Sequence, residues 1–95
     1  VSFLVEENPA KHRFEILVDG ALAGFTAYLP RGAVRVFTHT EVRPEYQDMG
    51  VGAALVRATL EQVREQGGRV VPQCPFVRAF IERHPEYADL VVTPV

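Results

Sequence analysis

Six consecutive residues, Gln47-Asp48-Met49-Gly50-Val51-Gly52, carry the clearest chemical signal in the chain. They stand between a run rich in β-branched residues and a segment of helical period, so the turn they make opens a helix. Glycines there leave backbone N–H groups uncovered by side chains, at the positive end of the helix dipole. Such a turn suits an anion, above all a phosphate. A Walker loop is excluded, because no Gly-Lys-Ser/Thr run follows a glycine and four spacers. The dinucleotide fingerprint is excluded as well. It requires a small residue where Leu55 stands, and an acidic residue closing a second strand about 20 residues further on. Spacing alone leaves a packing explanation open, in which Gly50 and Gly52 only let a helix start close against a sheet.

Two other side chains could do chemistry. His39 lies in the run leading to the turn, with Glu41 two residues later. Strict alternation puts Phe37 and Glu41 on its side and Val36, Thr38 and Thr40 on the other. An imidazole in that place suits a general base oriented by Glu41, and the plain alternative is a partly buried, hydrogen-bonded histidine. Cys74 precedes Pro75 at the start of a second helical segment, where the dipole favours a thiolate. Its plain alternative is a small buried hydrophobe. His12 falls in a basic turn, and His84 precedes Pro85 at a helix end, where it can cap carbonyls. Together with Cys74 the histidines lack ligand spacing, so no metal site is expected.

The elements that must position these groups are legible from period and punctuation. Phe3-Leu4-Val5 is a short apolar run. Phe14, Ile16 and Val18 alternate with Glu15 and Asp19, and Asp19-Gly20 signals a hairpin into Leu22–Leu29. Pro30-Arg31-Gly32 turns the chain into Val34–Val42, which ends before Pro44. Then the period changes: Gly52, Leu55, Val56, Thr59, Leu60 and Val63 share one helical face. Arg57, Glu61, Arg64 and Glu65 share the other, which reads as solvated. Gly67-Gly68 stops this helix. Arg69–Val71 makes a short strand and Pro75 opens a helix reaching Arg83, with Phe76, Val77, Phe80 and Ile81 as its apolar stripe. Leu90-Val91-Val92 suggests a last strand. The predicted fold is α+β, a mostly antiparallel mixed sheet with two main helices and one strand–helix–strand crossover.

The 95 residues suggest one domain, 1–95. Ten basic against twelve acidic side chains remove the electrostatic footprint of a nucleic-acid binder. No apolar run approaches the roughly 18 residues of a membrane span. A single cysteine permits no internal disulfide and fits a reducing compartment, so the chain reads as cytoplasmic.

The order of elements around Q-x-x-G-x-G resembles the GNAT superfamily of N-acetyltransferases, and within it the small single-domain YjdJ-like group. The resemblance rests on Thr38-His39-Thr40-Glu41-Val42, on Pro44 through Val56, on Cys74-Pro75-Phe76-Val77 and on Arg83-His84-Pro85-Glu86-Tyr87. It implies a minimal GNAT fold that uses acetyl-coenzyme A as acyl donor to an unidentified amine. By the resemblance, Gln47, Asp48, Met49, Gly50, Val51 and Gly52 would hold the pyrophosphate. The backbone of Thr40, Glu41 and Val42 would bond the pantetheine arm where this strand splays from Arg69–Val71. Relatives often carry a basic residue where Asp48-Met49 stands, which implies weaker cofactor binding. Many also use a tyrosine in the last helix to protonate the leaving thiolate. Phe80-Ile81-Glu82-Arg83 has no hydroxyl, which leaves Cys74 as proton donor or acetyl acceptor and His39 as base. Fuller members insert two helices after the first strand, whereas only Glu7 to His12 intervenes here. The acceptor side should therefore be open, completed by a second subunit or by a protein substrate. The rival expectation is a coenzyme A-binding regulatory module without turnover.

Overall fold

The computed structural model describes residues 1–92. Five strands form one sheet in chain order: β1 (Phe3–Asn8), β2 (Arg13–Val18), β3 (Ala21–Arg31), β4 (Val34–Val42) and β5 (Arg69–Pro72). The first four are antiparallel neighbours joined by short turns, while β5 lies parallel to β4. Parallel pairing demands a crossover, and helix α1 (Val51–Glu65) supplies it. Helix α2 (Pro75–Arg83) follows β5, then a 3₁₀ segment, Pro85–Leu90. The expected last strand reduces to a single bridge, in which Val92 N–H donates to the Val70 carbonyl. Leu90 instead closes the 3₁₀ segment and is buried.

Both helices pack on one face of the sheet, here the inner face. Phe14, Ile16, Val18, Tyr28 and Phe37 point there from the strands and meet Val51, Leu55, Val56, Leu60 and Val63 of α1 and Val77 and Phe80 of α2. Each large side chain taken from water contributes about 1.5–3 kcal/mol, so this cluster decides the layer arrangement. The two glycines after α1 end it with paired bonds, Gly68 N–H to the Val63 carbonyl and Gly67 N–H to that of Arg64.

The polar face of α1 is exposed as expected, and it also meets a later segment. Arg57 N–H donates to the Tyr87 hydroxyl at 3.2 Å, and that hydroxyl donates to Glu61 at 2.7 Å. Arg64 ion-pairs with Asp89 and donates to the Glu86 carbonyl. These side chains bind the 3₁₀ segment down onto α1. Helical period located the polar face without showing that a later segment would return to it. His84 caps the end of α2 through its backbone N–H, which donates to the Phe80 and Ile81 carbonyls, while its ring packs on Phe80 with centroids 4.3 Å apart.

A second polar network joins four segments across the inner face, beneath the C-terminal end of α1. Arg35 of β4 donates to Glu7 of β1 at 2.9 Å and to Gln66 at 2.7 Å, and the Tyr28 hydroxyl of β3 also donates to Glu7. The Arg35 guanidinium lies 5.2 Å from the Tyr28 ring centroid. Burial, the largest single influence, pushes the Glu7 carboxyl up, but the bonds from Tyr28 and Arg35 outweigh it together and hold it below its ordinary value. Burial, then the bond to Glu7, raises the Tyr28 phenol.

Glu7→Gln is expected to destabilise the protein by about 1–3 kcal/mol at pH 7, since it removes the charged acceptor of several bonds. The native Glu7 carboxyl titrates below its unfolded value. Its stabilisation is therefore complete above the ordinary carboxylate range and fades as pH falls through the native value. Urea denaturation of both proteins should show the gap narrowing on acidification. A gap that stays constant to low pH would contradict this account.

Candidate functional site

β4 is paired on both sides for only half its length. Its parallel register with β5 runs from Val34↔Arg69 to Phe37↔Pro72. One further bond, Cys74 N–H to the Phe37 carbonyl at 2.8 Å, closes this run, and beyond it the two strands part. The parting coincides with an irregularity. Across β3 the register passes from Tyr28↔Phe37 to Ala27↔His39, which leaves Thr38 as an extra residue. A bulge bends its strand and increases the twist, so β4 swings away from β5 at this point.

The bulge also overturns the expected alternation. Phe37 was expected on the side of His39, yet it is fully buried on the inner face against Phe14 and Tyr28. Thr40 is on the inner face too, its hydroxyl 2.9 Å from that of buried Thr26 and 3.4 Å from Cys74 Sγ. His39 and Glu41 occupy the outer face. The His39 ring meets Phe25 edge-on, and its Nε2 lies 3.2 Å from a Glu41 carboxylate oxygen. His39 is exposed and Cys74 is buried, on opposite faces of the sheet, so the structure does not bring these two residues together.

Backbone direction refines the expectation for residues 40–42. Arg43 N–H donates to the Ala23 carbonyl at 2.8 Å, so its backbone faces β3. By alternation the backbone of Glu41 faces β3 as well, and that of Thr40 and Val42 faces the opening. Of the three residues, two present donors and acceptors to the gap.

At the end of β4, a 3₁₀ turn (Pro44–Tyr46) leads into the glycine segment. Gln47 reaches back, its side-chain amide donating to the Val42 carbonyl at 3.4 Å. Gly50 precedes α1 with φ 75°, a left-handed conformation that a side chain disfavours, and no side chain caps the helix. The first-turn N–H groups are therefore left for a ligand or water. They border a concavity of about 390 Å³ lined by Val42, Tyr46, Gln47, Asp48, Gly50, Val51, Gly52, Ala53 and Phe76. Met49 is exposed beside it, at 46%, and does not line it.

Phe76 is the wall that sequence reasoning missed. Its place in the helical stripe of α2 suggested core, but it is 41% exposed. Its ring stands so close to Gly52 that a β-carbon there would lie 2.8 Å from Cζ. Tyr46, in the turn before the glycine segment, also lines the cavity. The place of Phe76 directly after Pro75, and a glycine whose role is close approach, were the available signals. Among the described residues no cluster of His, Cys, Asp and Glu could hold a metal ion, and no helix is long and apolar enough to cross a membrane.

A family model described as GCN5-related N-acetyl-transferase matches residues 13–90. The chain belongs to that family, one of acyltransferases. Its fold is shared by a GCN5-like protein from Staphylococcus aureus solved by NMR, with a TM-score of 0.69 at 21% identity over 97% of this chain and 90% of that one. The ribosomal-protein-S18-alanine N-acetyltransferase of Escherichia coli matches with a TM-score of 0.61 at 19% identity, over 76% of this chain and 50% of its own. An aminoglycoside acetyltransferase from an uncultured soil metagenomic sample matches at 0.52 and 16% identity, over 87% and 60%. The chain thus spans about half to three-fifths of the length of these two enzymes. No curated protein matches it in sequence. The glycine turn at the start of α1 lies inside the matched region, as does the opened strand pair.

The contact between Gly52 and Phe76 yields a measurable cycle. Gly52→Ala in the native background should destabilise by about 1 kcal/mol, the ring's displacement outweighing the better helix propensity of alanine. In a Phe76→Ala background the same change should stabilise, by about 0.5–1 kcal/mol. Chemical denaturation of the four proteins checks the change of sign.

Proposed function

We propose that the protein transfers an acetyl group from acetyl-coenzyme A to a primary amine. The observation that carries this reading is a single coincidence of features. An uncapped helix start, a strand pair that parts at a bulge and a cavity of about 390 Å³ adjoin one another at the end of β4. Backbone N–H groups of residues 50–52 suit the pyrophosphate, and Thr40 and Val42 offer backbone groups to an extended arm in the gap. The Phe76 ring supplies an apolar wall. Asp48 is exposed with a positive φ of 64°, so its charge is solvated and weakens phosphate binding only modestly.

Acetyl-coenzyme A supplies an acetyl group activated as a thioester. The chain's own residues then have two tasks. The acceptor amine must lose a proton before its nitrogen bonds the acyl carbon, and the departing sulfur must be protonated as its bond to carbon breaks. His39, outside the sheet and oriented by Glu41, suits the first. Cys74, inside the sheet at the mouth of the gap and bonded to Thr40, suits the second. Their separation across the sheet favours direct transfer over a cysteine that His39 activates and the acetyl group occupies.

Calorimetric titration should show acetyl-coenzyme A and coenzyme A binding while adenosine does not. No binding by either would return the glycine turn to a packing role and end the proposal. Binding without consumption of acetyl-coenzyme A on a broad amine panel would instead favour a regulatory module, which the open outer face and the lack of a hydroxyl in α2 also favour. With an acceptor in hand, His39→Ala should lower kcat/KM about 100-fold. Cys74→Ala should lower kcat with little change in coenzyme A affinity.

A further inference from the structure

On the outer face of the sheet, across the end of β4 from the glycine turn, lies another concavity, of about 230 Å³. Val42 borders both. Two irregularities shape this corner. Besides the Thr38 bulge, the β2–β3 register passes from Ile16↔Gly24 to Leu17↔Leu22, which leaves Ala23 as an extra residue. Each bulge adds twist, and between them the outer face curls into a hollow instead of running flat.

The hollow is lined by groups of both signs. Phe25 contributes an apolar surface, with the Arg13 guanidinium stacked 4.5 Å from its ring centroid. Arg13 is tied to Glu15 at 2.7 Å, so its charge is already balanced. Arg43 forms no ion pair among the described residues. Glu41 is the one carboxylate in the lining, and it is the partner of His39. The space therefore offers one carboxylate beside a base, one uncommitted guanidinium and an aromatic ring. Its volume lies below the roughly 300–1,000 Å³ typical of sites for drug-sized ligands.

We propose that this hollow is the acceptor subsite and that it takes a small free α-amino acid as its zwitterion. The ammonium sits at Glu41 beside His39, the carboxylate at Arg43, and the side chain lies against Phe25. A guanidinium offers paired N–H donors matched to a carboxylate, so Arg43 is the element that separates an amino acid from an amine without an acid group. The role as acceptor rests on the acetyl-transfer reading, while binding of the zwitterion does not require coenzyme A.

The test is NMR titration of the intact ¹⁵N-labelled protein with three probes: L-alanine, L-alaninamide and propanoate. L-alanine is expected to shift the amides of Gly24, Glu41 and Arg43 and to bind at least ten-fold more tightly than either singly charged probe. Arg43→Gln should bring the preference for alanine over alaninamide near one, and Glu41→Gln that over propanoate, while the rest of the spectrum is unchanged. Absence of shifts at these amides overturns the proposal, as does alaninamide binding as tightly as alanine, which would indicate a chain terminus as acceptor. Acetyl-coenzyme A titrated into the same sample separates the two readings. Shifts at residues 47–52 with no response to alanine overturn the subsite alone. A response to alanine with none to acetyl-coenzyme A supports the ligand class and removes the acetyl-transfer reading.

Discussion

The structure depends on β4 being an interior strand at one end and an edge at the other. An interior strand has its backbone groups paired on both sides, and leaving such groups buried without partners costs about 1–3 kcal/mol each. Past Phe37, the groups of β4 that face β5 lose their ladder; the Val42 carbonyl accepts from the Gln47 side chain, and the rest are left to water or a ligand. A gap of this kind persists only if the paired ends hold. At the closed end, Arg35 ties β4 to Glu7 of β1, while Val34 to Phe37 complete the ladder with β5. The opening and the clamp are therefore two ends of one mechanical arrangement, and the Thr38 bulge is the pivot between them.

The same economy governs the helix start. A side chain at the cap would satisfy first-turn N–H groups and add about 1 kcal/mol of helix stability. Gly50 forgoes that, and α1 relies on its buried stripe and on the Tyr87, Glu86 and Asp89 contacts further along. Stability forgone at the N-terminal end is recovered at positions remote from the cavity. The 3₁₀ segment that returns over α1 thus acts on the site through the helix it holds, without touching the cavity itself.

Element order and most element limits were legible, because alternation in β2, the Asp19-Gly20 turn and the stripe from Leu55 to Val63 are strong local patterns. The bulge was not. One extra residue leaves no compositional mark, since Thr38 is as ordinary a strand residue as its neighbours, yet it moves every later side chain to the other face. That single offset misassigned Phe37 relative to His39 and hid the separation of His39 from Cys74. Phe76 was misread for a related reason. Its helical spacing is right for the stripe, but α2 is short and begins at the gap, so its first turn overhangs the cavity and leaves the core to Val77, Phe80 and Ile81. The functional family was legible from the turn and its flanking residues taken together; the physics of the turn alone reached only an anion site.

Splitting β4 between two faces has a chemical consequence. A sheet one layer thick separates the outer residues His39 and Glu41 from the inner Thr40 and Cys74, yet all four belong to the same few residues of backbone or adjoin them. A group lying in the opened edge of such a strand is reachable from both sides. On the proposed reading, proton removal and proton delivery would fall to different side chains in different surroundings, one solvated and one buried. With both helices on the inner face, the outer face leaves His39 exposed. The hydroxyl pair Thr26–Thr40 and the α2 start keep the thiol dry. The asymmetry follows from topology: a single crossover covers one face of a sheet and leaves the other open.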